Sequence, residues 1–368
     1  MARCDILVIG GGIAGIGAAA EAADDARVCV LEAEARPGMH ATGRSAAIFI
    51  RNYGNAVLRA LNAASEPVFE APGELTDGPL LSPRGELLLA DEDELDALAE
   101  YAEGSDGLER LTGDEAARLV PILRPERIAA ALYEAAARDI DVDRLLQGYV
   151  RRLKARGGTI EGGTPVTAIT RAGGVWRVET PRGTWQAPVV VNAAGGWADT
   201  LAETAGVPRI GLVPCRRSAA LLPAPGGHDI GSWPVFAAVS ETWYAKPDAG
   251  RLMVSPADED PVAPHDVWPD DMVLAEGLDR YARAVSEPVT RVLRSWAGMR
   301  TFASDRTPVV GFDGAAEGFF WLAGQGGYGI QTAPALSALA GALLTGRQPA
   351  LDPATVAALA PGRLRAAA

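Results

Sequence analysis

A glycine-rich turn between an apolar strand and an alanine-rich helix is the feature that most constrains how this chain folds. Ile6–Ile9 predicts a buried strand, Gly10–Gly15 has the pattern G-x-G-x-x-G, and Ile13–Ala23 predicts a helix. Arg27–Leu31 predicts a second buried strand, which ends at Glu32, 22 positions after the first glycine of the turn. Two short apolar strands around a helix predict a parallel pair covered on both faces, and the whole pattern is typical of a dinucleotide-binding unit.

Three glycines of the turn are each needed for a different physical reason. Gly10 makes the tight turn, Gly12 allows the backbone to approach a pyrophosphate, and Gly15 allows the helix to pack closely against the strand. The first turn of the helix offers unpaired N–H groups to the phosphates. Glu32 would accept hydrogen bonds from a ribose diol, which favours an adenosine without a 2′-phosphate.

Length and charge narrow the class of protein further. At 368 residues the chain is long enough for two domains and a large buried core. It carries 34 lysines and arginines against 47 aspartates and glutamates, which gives a net charge of −13. A chain this acidic offers little positive surface charge to a phosphate backbone or an anionic membrane. Nucleic-acid binding is therefore not expected.

The cysteine and histidine content indicates a cytoplasmic protein without a metal centre. These residues are few and far apart in sequence: Cys4, Cys29, Cys215, His40, His228 and His265. Their spacing favours neither a disulfide framework nor a zinc site, and it fits a reducing compartment. The longest uncharged run near the start, Ile6–Ala20, is too short and too glycine-rich for a membrane span, and we do not expect it to be a secretory signal.

Further along the chain, the α/β pattern alternates with a series of strands. The α/β pattern continues with a helix at Val142–Leu153, a strand at Pro188–Asn192, and a strand and helix at Phe319–Ala323 and Ala333–Leu344. Serial strands are predicted at Arg84–Ala90 (followed by a helix at Asp91–Glu103), Arg216–Leu222, Val235–Val239, Thr242–Lys246 and Arg251–Ser255. We therefore predict an α/β dinucleotide-binding domain from residues 1–78, 139–205 and 298–368, and an antiparallel-sheet substrate domain from residues 79–138 and 206–297, so that the chain is α+β overall.

Two further glycine-bearing segments favour FAD over NAD as the dinucleotide. Residues 33–47 include many small residues and two glycines, which suits an extended cofactor that continues past the first unit. A third glycine-rich turn, Gly324–Gly329, precedes the predicted C-terminal helix. A helix that begins near Gly329–Thr332 would direct its positive end at the N1–C2=O edge of an isoalloxazine and stabilise the anionic reduced flavin.

Several sequence blocks in a fixed order resemble one known family. The blocks are His40–Ala47, Pro79–Arg84, Asp139–Asp141, Gln147–Tyr149, Val191–Gly195, Arg216–Ala219, Tyr244–Gly250, Trp296–Arg300, Glu317–Trp321 and Gln325–Thr332. They resemble the FAD-dependent D-amino acid oxidase and dehydrogenase superfamily over nearly the whole chain, and within it they are most similar to the bacterial D-arginine dehydrogenases. The resemblance implies a Rossmann-like FAD-binding domain of the glutathione-reductase and D-amino acid oxidase type, joined to an antiparallel-sheet substrate domain.

The resemblance also implies which residues contact FAD, which we expect to be bound without a covalent link. Most of them are glycines, alanines and other small residues in turns. The full set is Gly10, Gly12, Ile13, Ala14, Gly15, Glu32, Ala33, Thr42, Gly43, Arg44, Ser45, Ala46, Ala47, Val166, Ala194, Gly195, Trp197, Gly298, Gly326, Gly327, Tyr328, Gly329, Ile330, Gln331 and Thr332.

The family binds a zwitterionic amino acid with its Cα–H facing flavin N5, and the substrate carboxylate needs a cation. Arginine suits this role because its planar fork grips a carboxylate at two places. The resemblance assigns the role to Arg217 and Arg300, and it assigns to Tyr244 a hydrogen bond to the same carboxylate. Arg216 and Arg217 alternate along a strand, so only one of them faces the pocket, and the family pattern selects Arg217.

Three more positions complete the implied substrate site. Glu86 matches the position that pairs with a cationic substrate side chain; pairing with Arg84 or exposure to water are the alternatives. Tyr53 matches a tyrosine of the lid region and has Gly54 beside it as a hinge. The carbonyl of Gly327 matches the backbone group that accepts a hydrogen bond from the substrate amine.

One position departs from the D-arginine dehydrogenase pattern, because Ile48 stands where that pattern has a pocket histidine. Ile48 cannot hydrogen-bond a substrate, so we expect a more apolar pocket. The departure also favours amine oxidation over alcohol oxidation, since an amine loses its proton without a strong base and an alcohol needs one.

The sequence therefore predicts oxidative deamination of D-amino acids, with cationic and large apolar ones preferred. A hydride would pass from Cα to flavin N5, and the imino acid would hydrolyse to a 2-oxo acid and ammonia. Oxygen or a quinone would then reoxidise the flavin. Two alternatives stay open: oxidation of a secondary amine such as sarcosine, glycine or proline, and a flavin subunit of a larger amine-oxidising complex.

Overall fold

The computed structural model describes residues 1–365. This part of the chain contains four sheets, with helices packed around them. In chain order the strands are β1 (Ala2–Arg3), β2 (Ile6–Ile9), β3 (Val28–Leu31), β4 (Ile48–Phe49), β5 (Leu81–Pro83), β6 (Glu86–Ala90), β7 (Leu108–Leu111), β8 (Ala130–Glu134), β9 (Arg138–Ile140), β10 (Thr159–Glu161), β11 (Ala168–Ala172), β12 (Val175–Thr180), β13 (Gly183–Ala187), β14 (Val189–Asn192), β15 (Val213–Leu222), β16 (Val235–Ala238), β17 (Tyr244–Asp248), β18 (Arg251–Ser255), β19 (Arg294–Phe302), β20 (Val309–Phe312) and β21 (Phe319–Ala323). The α-helices are α1 (Ile13–Ala22), α2 (Ala56–Glu70), α3 (Leu95–Ala102), α4 (Gly113–Leu119), α5 (Val142–Ala155), α6 (Ala198–Thr204), α7 (Asp271–Ala284), α8 (Ala333–Thr345), α9 (Pro353–Leu359) and α10 (Gly362–Arg365).

The six-stranded sheet carries the glycine-rich turn at the end of β2. Its strand order is β10-β3-β2-β14-β21-β20, and every neighbouring pair is parallel except β20 with β21. Strands β2 and β3 are apolar and buried at every position, as expected for a parallel sheet covered on both faces. Helices α1, α5 and α8 cover one face, and the sheet β1-β13-β12-β11 covers the other.

Small residues allow α1 to pack closely against its neighbours. Its buried face consists largely of alanine and glycine. Helix α8 is also alanine-rich and packs directly on α1. This close packing holds the first turn of α1 at the end of β2, where the cavity described below begins.

The eight-stranded sheet has the order β19-β15-β18-β17-β16-β6-β8-β7. It is antiparallel as predicted, except that β6 lies parallel to β16, with Glu86 beside Val235. Strand β6 comes from the first segment assigned to the substrate domain and β16 from the second. Because no hairpin joins these two strands, nothing local constrains their relative direction.

Side chains of the eight-stranded sheet alternate between two faces. One face, which includes Leu87, Phe236 and Val254, packs against helices α4 and α7 and forms the core of this half of the chain. The opposite face carries Tyr244 and Arg217, and both of them line the cavity shared with the six-stranded sheet. We call this opposite face the cavity face.

Several elements differ from the predicted ones at their ends. Strand β15 begins three residues earlier than predicted because it pairs with β19 over nine positions. The predicted helix Asp91–Glu103 begins as a 3₁₀ turn, Glu92–Glu94, capped by the Asp91 side chain, before α3 starts. The domain bounds stay a prediction. The three cysteines are buried and unpaired, and in residues 1–365 no helix combines the length and apolar composition that a membrane crossing requires.

Candidate active site

A cavity of about 530 Å³ lies between the glycine-rich turn of the six-stranded sheet and the cavity face of the eight-stranded sheet. Most predicted cofactor residues line it: Gly10, Gly12, Ile13, Ala14, Glu32, Ala33, Thr42, Arg44, Ser45, Ala46, Val166, Ala194, Gly195, Trp197, Gly298, Gly326, Gly327, Gly329 and Ile330. Four predicted substrate residues also line it: Arg217, Tyr244, Arg300 and Gly327. The fold therefore brings most residues of both predicted sets to one cavity.

Eight predicted site residues are not among those that line the cavity: Gly15, Gly43, Ala47, Tyr328, Gln331, Thr332, Tyr53 and Glu86. Several of them have structural contacts beside it. The Gln331 side chain accepts a hydrogen bond from the Ile50 N–H at 3.2 Å and donates one to Asn62 Oδ1 at 2.9 Å. The rings of Tyr53 and Tyr328 pack together with their centroids 4.9 Å apart. The cofactor and substrate roles of these eight residues stay predictions.

The turn after β2 is too tight for any side chain at two positions. Gly10 has a φ of +114°, and a Cβ there would lie 2.2 Å from the Ala193 carbonyl oxygen. A Cβ on Gly15 would lie 2.0 Å from the Gly10 carbonyl oxygen. Side chains here would push α1 away from the sheet and fill the backbone cradle in front of its first turn. A cradle kept open by glycines fits the pyrophosphate of a dinucleotide.

Backbone N–H groups orient two polar side chains beside this turn. Glu32, which follows β3, accepts hydrogen bonds from the Gly11 N–H at 2.6 Å and the Glu34 N–H at 2.8 Å. The Thr42 hydroxyl accepts one from the Ile13 N–H at 3.1 Å, in the first turn of α1. The Glu32 carboxylate therefore lines the cavity in a fixed orientation, which suits a ribose diol.

The pairing of β15 with β19 brings two arginines to the same side of the sheet. Arg217 pairs with Gly298, which lies two residues before Arg300. Because residues two apart share a face, Arg217 and Arg300 both point into the cavity. Arg216 points to the other side, where its Nη2 donates to Asp260 Oδ2 at 2.8 Å. The alternation predicted from the sequence therefore selects the arginine that lines the cavity.

Arg300 is the cation of this site that lacks a partner. Among residues 1–365 no carboxylate forms an ion pair with its guanidinium, and the guanidinium donates no hydrogen bond to another side chain. Its Nη1 lies 2.7 Å from the point that a Cβ on Gly327 would occupy, so a residue with a side chain would displace it. A partly buried cation without a counter-ion favours an anionic ligand.

An apolar wall adjoins the two arginines. It consists of Ala46, Ala219, Met253 and Trp296, together with the ring of Tyr244. Sequence reasoning missed Ala219, Met253 and Trp296. The signal for Ala219 was available, since it lies two residues after Arg217 on the same strand and therefore shares its face.

His40 lines the cavity as well, and sequence reasoning assigned it no role there. Its Nε2 lies 2.9 Å from Glu34 Oε1, and its ring packs against Trp197 with centroids 4.9 Å apart. The available signal was its place at the start of the block His40–Ala47, most of which we assigned to the cofactor.

Glu86 belongs to the cavity face but lies apart from the cavity. It is 7% exposed, and the Tyr101 hydroxyl donates to its Oε2 at 3.1 Å. Burial raises the pKa of Glu86 to about 8, and the charge of Glu134, directly opposite on β8, adds to the rise. Arg84 does not pair with Glu86, because it binds Asp139 at 2.6 Å. Glu86 is therefore a buried carboxyl group without a cationic partner in residues 1–365.

A dinucleotide cradle that opens into a cavity beside a second sheet is typical of a cofactor-dependent enzyme. The chain belongs to the family of FAD-dependent oxidoreductases, because residues 5–343 match the family model described as "DAO: FAD dependent oxidoreductase". FAD is therefore the cofactor, and the glycine cradle and the oriented Glu32 fit it. The family predicted from the sequence blocks is confirmed, whereas the closer resemblance to D-arginine dehydrogenase stays a prediction.

Curated relatives match a part of the chain. The oxidoreductase YurR of Bacillus subtilis is 27% identical over 253 residues, which cover 66% of this chain and 64% of YurR. The hydrogen cyanide synthase subunit HcnC of Pseudomonas aeruginosa is 28% identical over 204 residues, which cover 55% of this chain and 46% of HcnC. The matches thus span less than two thirds of the length of these relatives.

Solved structures match the fold over nearly its full length. Glycine oxidase from Geobacillus kaustophilus superposes with a TM-score of 0.85 at 23% identity and covers 98% of both chains. L-proline dehydrogenase from P. horikoshii also has a TM-score of 0.85, at 22% identity, and covers 100% of this chain and 99% of its own. At these identities the likeness establishes the shared fold.

Proposed function

We propose that this FAD-dependent oxidoreductase oxidises the Cα–N bond of D-amino acids, with a preference for large apolar and cationic side chains. The observation that carries the proposal is the unpaired Arg300 guanidinium, which lies with Arg217 and Tyr244 in the cavity of the dinucleotide cradle. Two cations and a phenol suit an α-carboxylate. The D configuration rests on the sequence resemblance.

The cofactor would lie along the glycine cradle. The Gly10–Gly15 turn and the first turn of α1 would hold its pyrophosphate, Glu32 its ribose diol, and residues 42–46 and 326–330 its flavin ring. Bound FAD supplies the two-electron acceptor for the hydride that leaves Cα. The chain itself contributes the placement of the substrate.

Three groups would orient the substrate. Arg217 and Arg300 would hold its carboxylate, and the Gly327 carbonyl oxygen would accept a hydrogen bond from its amine. Ile48 supplies no base, which amine oxidation tolerates because an amine loses its proton close to neutral pH. The imino acid that forms hydrolyses in water to a 2-oxo acid and ammonia.

The substrate side chain has two candidate environments on the cavity face. The wall of Ala219, Met253 and Trp296 suits a large apolar side chain. A cationic side chain would extend toward Glu86, which lies two strands from Tyr244, at roughly 10 Å. Tyr101, which covers Glu86, would move aside to admit it.

Anaerobic bleaching of the flavin tests this proposal. The FAD-loaded enzyme is mixed with D-leucine, D-arginine, their L-enantiomers and sarcosine, and loss of the yellow absorption band is followed. Rapid bleaching by the D-enantiomers alone is the expected result, and equal bleaching by the L-enantiomers contradicts it. Readmitted air then distinguishes oxygen from another acceptor, such as a quinone.

Glu86→Gln tests the cationic part of the proposal. It should weaken the response to D-arginine far more than the response to D-leucine, because only the guanidinium of D-arginine would contact the Glu86 carboxyl group. Equal losses with both substrates would contradict the role of Glu86.

Oxidation of a secondary amine is the second candidate. It is favoured by the fold shared with glycine oxidase and L-proline dehydrogenase, and by the apolar wall, which would also accommodate an N-methyl group or a ring. Bleaching by sarcosine or proline alone would select it. Bleaching by no amine would favour a subunit of a larger complex, since HcnC is named as a subunit of hydrogen cyanide synthase.

A further inference from the structure

Glu259, four residues after β18, binds one of the two substrate arginines. Arg217 Nη2 donates to Glu259 Oε1 at 2.7 Å, and Arg217 Nε donates to the Asp258 carbonyl oxygen at 2.8 Å. The Arg217 side chain is 8% exposed, yet it also lines the cavity. Its fork is therefore partly engaged by the protein before any ligand binds.

A second arginine fixes Glu259 from the solvent side. Arg306 donates from Nη1 to Glu259 Oε2 at 3.0 Å and from Nη2 to Oε1 at 3.1 Å, and it stacks on the Phe302 ring. Burial opposes ionisation of Glu259, but the hydrogen bond from Arg306 and the charges of Arg217, Arg306 and Arg300 outweigh it, so the pKa of Glu259 lies below its ordinary value. Glu259 is therefore an anion at neutral pH.

These contacts make the two substrate arginines unequal. Arg217 forms an ion pair with Glu259, whereas Arg300 forms no ion pair among residues 1–365 and only feels the charges of Glu259 and Glu241 from a distance. Arg306 is 47% exposed, so solvent screens its charge. A ligand carboxylate can bind Arg300, which forms no ion pair, and share Arg217 with Glu259, whereas a second carboxylate would meet the field of Glu259.

We propose that Glu259 is a specificity-determining residue that positions Arg217 and restricts the site to amines with a single carboxylate. The inference deepens the proposed function and rests on it. A ligand carboxylate and the Glu259 carboxylate share the Arg217 guanidinium, so they lie close enough to repel each other. A dianion experiences this repulsion more strongly than a monoanion, and iminodicarboxylates are therefore excluded.

Two probes that the enzyme cannot oxidise as amines test the proposal by binding alone. (Methylthio)acetate has one carboxylate and thiodiacetate has two, and both have a thioether in place of the amine. Each is titrated into the FAD-loaded enzyme at neutral pH, and the change in flavin absorption yields its dissociation constant. The wild-type enzyme should bind (methylthio)acetate more tightly than thiodiacetate, by about tenfold or more.

Glu259→Gln keeps the shape and the acceptor atom but removes the charge. We expect it to reduce the preference for the monocarboxylate by about tenfold, because the repulsion of the dianion is lost. Asp260→Asn is the matched control. Asp260 lies in the same segment and binds Arg216 outside the cavity, so this variant should keep the wild-type preference.

Arg306→Gln is a second variant, and it should change the preference between the two probes in the direction opposite to Glu259→Gln. It removes a positive charge and should weaken thiodiacetate more than (methylthio)acetate, and the flavin spectrum confirms that each variant is folded and loaded. A preference that stays constant in Glu259→Gln and Arg306→Gln while both probes bind would overturn the role of Glu259 and leave the carboxylate site intact. Binding of neither probe to the wild-type enzyme would overturn the carboxylate site itself, and with it the proposed function.

Discussion

Two arginines on neighbouring strands have different electrostatic surroundings in the cavity. Arg217 is held by Glu259 and by a backbone carbonyl, whereas Arg300 has no partner in residues 1–365. We therefore expect the larger part of the affinity for a carboxylate to come from Arg300. An arginine already satisfied by the protein mainly sets the direction of approach.

Replacing Arg300 by glutamine should raise the KM of every carboxylate substrate by about 100-fold, since removal of one partner from a buried charged pair costs about 2–5 kcal/mol. Steady-state kinetics of the FAD-loaded variant measure the effect. Arg294→Gln is the control, because Arg294 lies on the same strand but is exposed. An unchanged KM in Arg300→Gln would remove Arg300 from the substrate site.

Glu86 should make the stability of the chain depend on pH. Its pKa is about 8 in the folded chain, above the ordinary value of 4.5, so the folded state keeps a proton that the unfolded state releases. The stability linked to this proton is fully present below pH 4.5 and is lost as the pH rises through 8. Glu86→Gln should thus raise the Tm more at alkaline than at acidic pH.

Thermal unfolding of both proteins at about pH 5 and about pH 9 checks this expectation. The stabilisation by Glu86→Gln at the higher pH should be on the order of a few kcal/mol. Glu92→Gln, at an exposed position, should have no such pH dependence. Equal Tm changes at both pH values would show that Glu86 is ionised at little cost in the folded chain.

At the scale of elements, the contact between α1 and the turn after β2 determines whether the cradle stays open. Gly15 lies on α1, and its Cα faces the Gly10 carbonyl oxygen so closely that no Cβ fits. Any atom added there moves the first turn of α1, and with it the N–H groups that face the cavity. The cradle thus depends on helix placement as much as on the turn itself.

Gly15→Ala should lower the affinity for FAD by about tenfold or more, and overpacking should reduce stability by about 1–3 kcal/mol. The flavin content of the purified protein and a titration of the apoprotein with FAD measure the affinity, and thermal unfolding of the apoprotein measures the stability. Gly314→Ala is the matched control, since a Cβ there meets no atom within 4 Å. Full flavin content in Gly15→Ala would contradict the tight contact.

At the scale of the whole molecule, bound FAD would join the two large sheets, because the cavity that fits it is lined by residues of both. Removal of FAD should therefore lower the Tm and loosen the eight-stranded sheet relative to the six-stranded one. At free FAD about 1,000 times its dissociation constant, binding contributes about 4 kcal/mol to stability. Equal Tm values for apoprotein and for protein in excess FAD would contradict this link.

The dinucleotide cradle is predictable from the sequence because its contacts follow from one local motif. The spacing of the Gly10–Gly15 turn, α1 and Glu32 is sufficient to place them together. The choice of Arg217 over Arg216 is predictable for a similar reason, since alternation along a strand needs no knowledge of distant residues.

Other features depend on contacts between distant segments, which no local pattern encodes. Tyr101 covers Glu86 because α3 packs on β6 and β8. The bond between Glu259 and Arg217 depends on the path of the chain after β18, where residues carry no recognisable motif. The parallel pairing of β6 with β16 is equally non-local, since nine other strands lie between these two in the chain order.

The strand order of the six-stranded sheet has a consequence for synthesis of the chain. Strand β14 lies between β2, made from residues 6–9, and β21, made from residues 319–323. Until residue 323 has left the ribosome, β14 presents an open edge that can pair with another chain. We therefore expect the nascent protein to depend on chaperones until its last strands emerge, and to fold only after most of it has been translated.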